Sequence, residues 1–176
     1  MQYTFRCILD VEEDVIRDIS IHSKCNLEEF HEAITNAFGI SLGEMAAFYK
    51  SDDAWAQGDE IPLFSMNEIG SSNEMKDFTL TTVFSKKGSK SLYVYDFLKM
   101  WTFFIELQKT GEITGEQNTK IVFSKGELPK QAPEKQFKSE KLLDDFESEF
   151  DDDYGNEFDD EFNEDFDSNE DSNDYF

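Results

Sequence analysis

The sequence predicts an α+β domain, a mainly antiparallel sheet of short strands with one principal helix, followed by a disordered acidic tail. Three observations lead there. Short segments alternate apolar and polar residues, the period of half-buried strands. One stretch changes to helical spacing and carries a stop or start signal at each end. After Pro129 and Pro133 the composition passes to carboxylates and isolated rings.

QYTFRCILDV places Tyr3, Phe5, Cys7 and Leu9 on one face of a strand. DVIRDISIHS repeats the alternation through Val15, Arg17, Ile19 and Ile21 or their neighbours, and the short polar connection between the two predicts a hairpin. CNLEEFHEAITNAFGI then brings Leu27, Phe30, Ile34, Ala37 and Phe38 to one side of a helix. Asn26 is its expected N-cap, Glu28 and Glu29 suit the positive end of the helix dipole, and Gly39 is its expected stop.

EMAAFYK reads as a strand, and SDDAWAQGDEIPL as a turn-rich excursion that ends on another. FTLTTVF and SLYVYDF flank the lysine-bearing connection SKKGSK, which is expected at a hairpin tip. WTFFIELQK is the last strongly apolar run, and TKIVFSKGELP the final strand candidate. The expected organisation is a domain over 1–127, a proline- and lysine-containing linker over 128–139, and the tail over 140–176.

Charge divides the chain unevenly. The formal net charge is -24, and residues 140–176 hold 18 acidic residues against one lysine, a net of -17. Such a segment has too few aliphatic residues to offset its ordering entropy. Its rings nonetheless fall on every fourth residue: Phe146, Phe150, Tyr154, Phe158, Phe162 and Phe166. On a helix that spacing drifts around the axis, whereas in an extended chain it keeps every ring on one face. Rings held apart by repelling carboxylates suit an interaction tail, with each ring free to fill an apolar pocket. The expected targets are a basic protein surface or the chain's own lysine-rich segment 76–139, which has 11 lysines against 7 acidic residues. Direct nucleic-acid binding is not expected, since the net charge repels phosphates.

An ordered set of motifs carries one family resemblance. A strand with a central arginine (Val15-Ile16-Arg17) leads to a helix reading LxxFHxAIxxAFG, followed by AAFYKSDDAW, DEIPLFSM and SLYVYDFLKMWTFFIEL. Together, over roughly residues 1–127, these resemble the plasmid pRiA4b ORF-3-like family, also described as transposon-passenger proteins. The resemblance implies a compact domain built around a helix and a curved sheet, and no established activity. Many members have Gly-Asp after the Tyr-Asp-Phe triplet, where Leu98-Lys99 follow Tyr95-Asp96-Phe97 here. They also have a histidine after the helix, where Glu44-Met45 stand here, and a histidine shortly after the tryptophan, where Trp101 is followed by Thr102-Phe103-Phe104. If those polar residues form a site elsewhere in the family, most of it is missing here. The terminal EDSNDYF, ending on Phe176, also resembles in style the acidic tails of bacterial single-stranded-DNA-binding proteins, without their proline.

The chemistry-bearing residues are sparse. Cys7 and Cys25 match neither a disulfide framework nor a zinc site, and are read as half-buried thiols in a cytoplasmic protein. His22 and His31 lack further donors at ligand spacing, and His31 is read as a surface or half-packed residue. The tail fails the EF-hand pattern, since position 5 from Asp151 is Gly155 and position 12 is Phe162. No cofactor, metal or membrane span is expected. The leading expectation is a non-enzymatic interaction module. The alternative is a ligand-binding or enzymatic domain with a surface near Tyr95, Asp96, Trp101 and Trp55.

Overall fold

The computed structural model describes residues 1–65, 73–112 and 118–133. They fall in the first of two compact units, Met1–Lys135; the second, Gln136–Phe176, holds the acidic tail and lies outside the described residues. Among the described residues seven strands form one sheet: β1 (Gln2–Leu9), β2 (Ile16–His22), β3 (Ala46–Ser51), β4 (Gln57–Pro62), β5 (Lys90–Tyr95), β6 (Trp101–Gly111) and β7 (Lys120–Lys125). Their order is β4-β3-β5-β6-β1-β2-β7, and every neighbouring pair is antiparallel. With the principal helix α1 (Leu27–Phe38), this is the expected α+β architecture with a curved sheet.

Alternation decides the faces. Tyr3, Phe5, Cys7 and Leu9 of β1 point inward with Ile19 and Ile21 of β2 and Phe103, Ile105 and Leu107 of β6. Against this inner face α1 lays Leu27, Phe30, Ile34 and Phe38. Rings dominate the contact: Phe30 lies 4.5 Å from Phe5, and Phe38 lies 4.8 Å from Phe103 edge to face.

The expected ends of α1 are as observed. The Glu29 N–H donates to the Asn26 side chain at 2.8 Å, and the Asn26 N–H donates to the Glu29 carboxylate at 2.8 Å, a reciprocal capping box. Gly39 closes the helix in the left-handed region at φ 69°.

One segment departs from expectation. FTLTTVF does not enter the sheet, because both edges of β5 are already taken by β3 and β6. Instead Thr79 bridges to Asn26, and Leu80–Val83 form a single helical turn, α2. The Leu27 N–H donates to the Phe78 carbonyl, and the Leu80 N–H to the Cys25 carbonyl, both at 2.9 Å. Leu80 and Phe84, four residues apart, then share one side of the turn and are fully buried beside Phe5 and Phe30. SKKGSK is therefore the lead from α2 into β5 rather than a hairpin tip, and the Gly88 N–H donates to the Leu107 carbonyl at 2.8 Å.

Both cysteines are free thiols. Cys7 is fully buried and Cys25 half-buried, and in each case burial is the main cause pushing the thiol pKa up. Neither has the electropositive surroundings of a reactive cysteine.

Candidate functional site

Tyr95, Asp96 and Trp101 frame the loop between β5 and β6. Tyr95 pairs directly with Trp101, and both rings are buried on the inner face. The Tyr95 hydroxyl donates to the Ser41 carbonyl. Asp96 sits in the left-handed region at φ 56°, which aspartate tolerates better than most side chains. Its Oδ1 accepts the N–H groups of Leu98 and Lys99, each at 3.2 Å, and its Oδ2 lies 3.1 Å from the Lys99 ammonium. Burial alone would push the Asp96 pKa up. The hydrogen bonds from Lys99 and Leu98, with the Lys99 charge, outweigh it and hold the carboxyl below its usual value. The polar capacity of Asp96 is thus spent on shaping the hairpin loop.

Trp55 lies on the opposite face of the sheet. Its ring meets Phe104 edge-on at 5.1 Å, and the Lys90 ammonium stands 4.8 Å from its centroid while donating to the Asp53 carbonyl at 2.8 Å. The structure therefore brings Tyr95, Asp96 and Trp101 together and leaves Trp55 apart from them.

His31 is neither the surface nor the half-packed residue that the sequence suggested: it is 3% exposed. Its Nδ1 lies 2.6 Å from the Tyr93 hydroxyl, and its ring stacks on Tyr95. The buried Tyr93 phenol needs an acceptor for its proton and Nδ1 is in place, which leaves the imidazole hydrogen on Nε2. Burial lowers the His31 pKa and raises that of Tyr93 well above the ordinary range, so both are neutral at pH 7. His31 also lines a cavity of about 230 Å³, together with Glu28, Glu32, Glu44, Met45 and Leu63. Helical spacing could have flagged it, since residue 31 lies four after Leu27 and three before Ile34.

The outer face of the sheet holds an arrangement that alternation alone did not reveal. Register places Tyr49, Leu92, Phe104, Ile8 and Ile16 side by side across β3, β5, β6, β1 and β2. All five are half-buried. The next row on the same face reads Lys90, Glu106, Arg6 and Asp18, an alternation of positive and negative charge. Arg6 and Asp18 are joined by two hydrogen bonds of 2.9 and 2.8 Å. Among the described residues, the Trp55 loop is the segment seen to lean on this face.

Among the described residues there is no group of three histidine, cysteine or acidic side chains placed to hold a metal, and no helix long and apolar enough to cross a membrane. No curated protein matches the chain. A solved structure of a protein of unknown function from Methanosarcina mazei Go1 is similar, with a TM-score of 0.58 and 18% identity over 70% of this chain and 68% of that one. At that identity the likeness shows the fold alone. The family model described as plasmid pRiA4b ORF-3-like protein matches residues 3–174, beyond the 1–127 over which the motifs carried the resemblance. The chain belongs to the plasmid pRiA4b ORF-3-like family.

Proposed function

We propose that this chain is a non-catalytic protein-interaction module. The observation that carries the reading is the outer sheet face, where an apolar row five strands wide lies beside a row of alternating charge. Half-exposed apolar side chains in one continuous row are the pattern of a surface that meets another. The acidic tail serves the same end by a different route. Its rings supply apolar anchors, and its charge steers it to basic protein surfaces in a fast, salt-sensitive encounter. The chain works in the cytoplasm on this reading.

The test is a capture experiment from host lysate at two salt concentrations. It compares the full chain with a form ending at residue 139 and with Ile8→Asp. Basic partners that are lost with the tail, or partners lost with Ile8→Asp, carry the reading. Identical captured sets for all three forms end it.

A second reading, a small-ligand site, is favoured by the His31 cavity. The His31 Nε2–H would meet a hydrogen-bond acceptor, and the carboxylates of Glu28, Glu32 and Glu44 a positive charge. A small amino alcohol or amino amide fits that pairing. A compound that raises the melting temperature of the native chain but not of His31→Phe would favour this reading, and a screen without any such compound would end it.

A further inference from the structure

We propose that the outer face of the sheet pairs with the same face of a second copy of this chain, about a two-fold axis that runs along the strands between β6 and β1. The inference rests on the interaction-module reading and names the partner. Its argument is the order of charge. Across the sheet the row runs Lys90, Glu106, Arg6, Asp18, that is positive, negative, positive, negative. A two-fold axis along the strands reverses this order while keeping each row at its own height. Lys90 then faces Asp18 of the second copy, and Glu106 faces its Arg6. Every charge meets its opposite, as a two-fold interface requires of one self-complementary surface.

The apolar row follows the same operation. Leu92 faces Ile16 of the second copy and Phe104 faces its Ile8, while Tyr49, one strand further out, stands opposite β7, where Lys125 continues the row beyond Ile16. Trp55, which lies against Phe104 and Lys90, faces the Ile8–Ile16 end of the second copy. Two sheets stacked in this way are an aligned sandwich, about 10 Å apart. A row whose charges read the same in both directions, such as positive, negative, negative, positive, could not pair with itself about this axis.

The experiment uses the full chain in sedimentation equilibrium. The native chain is expected to pass from monomer to dimer with concentration, more readily at moderate salt, where repulsion between the acidic tails is screened. Glu106→Arg sets a second positive charge against Arg6 of the second copy, and Arg6→Glu sets a second negative charge against its Glu106. Each variant alone is expected to dimerise about tenfold more weakly or worse. Mixing the two restores both opposite-charge pairs, so an equimolar mixture is expected to form heterodimers.

Circular dichroism melts identify any variant that fails to fold, and Ile8→Asp gives an independent disruption of the apolar row. A native chain that stays monomeric overturns the pairing, as does a dimer that all three variants leave intact, or a mixture without heterodimers. If the pairing is overturned while Ile8→Asp still loses lysate partners, the interaction-module reading stands with another occupant on the face.

Discussion

The guanidinium of Arg17 caps the C-terminal end of α1, its Nε donating to the Ala37 carbonyl at 3.0 Å. The same side chain donates to the carbonyls of Ile16, Lys125 and Gly126 at 2.7–3.0 Å, and lies 5.1 Å from the centroid of Phe38. A cation 8% exposed is thus held by carbonyl dipoles, including those at the negative end of a helix, and by a ring face. One residue ties helix, strand and the exit from β7 into one unit.

Arg17→Ala is expected to cost about 3 kcal/mol, since several buried carbonyls lose their donor together. Arg17→Lys keeps the charge but not the fork, and recovers less than half of that loss. Urea denaturation of both variants measures it. A loss below about 1 kcal/mol for the alanine form would refute the tie.

Gly126 separates two causes of a glycine requirement. It sits at φ 72°, and a Cβ there would lie 2.2 Å from the Asp14 carbonyl oxygen. Gly88 also has a positive φ, 86°, but faces open space. Gly126→Ala is expected to cost well over 2 kcal/mol, and Gly88→Ala about 1 kcal/mol. Equal losses in thermal melts would mean that the chain moves aside at Asp14.

His31 gives stability a pH dependence of definite sign. Burial lowers its pKa in the folded chain, so below about pH 6.5 the unfolded chain takes up a proton that the folded chain resists. Its contribution is intact at higher pH and is lost as pH falls from about 6.5 toward the lower folded value. The native chain should therefore lose more stability between pH 7 and pH 5 than His31→Phe does. Parallel pH curves for the two forms would show that His31 stays ionisable in the fold.

Asp96 behaves as a turn-former in the β5–β6 loop. Asp96→Ala removes the side-chain cap and leaves a left-handed residue without its tolerance, at a cost of about 2 kcal/mol. Asp96→Asn keeps both features in part and should lose about half as much. The folded pKa is lowered, so the carboxylate's contribution holds above about pH 4 and fades as pH falls below it. An alanine variant as stable as the native chain would mean that the loop is set by other residues.

Much of this fold was legible locally. The β1–β2 hairpin follows from two runs of alternation, and α1 from spacing, Asn26 and Gly39, because each signal lies within a few residues of the structure it dictates. The sequence by itself therefore determined the alternating strands, the capped helix and the uneven placement of charge. Tertiary structure decided what depends on residues far apart in the chain. FTLTTVF became a bridge and one helical turn because the sheet offered β5 no free edge. His31 became a buried partner of Tyr93 because residues 62 apart meet across helix and sheet. The row Lys90, Glu106, Arg6, Asp18 exists only through the register of four strands. Local periodicity says which face a side chain takes, but strand order and register say which side chains become its neighbours.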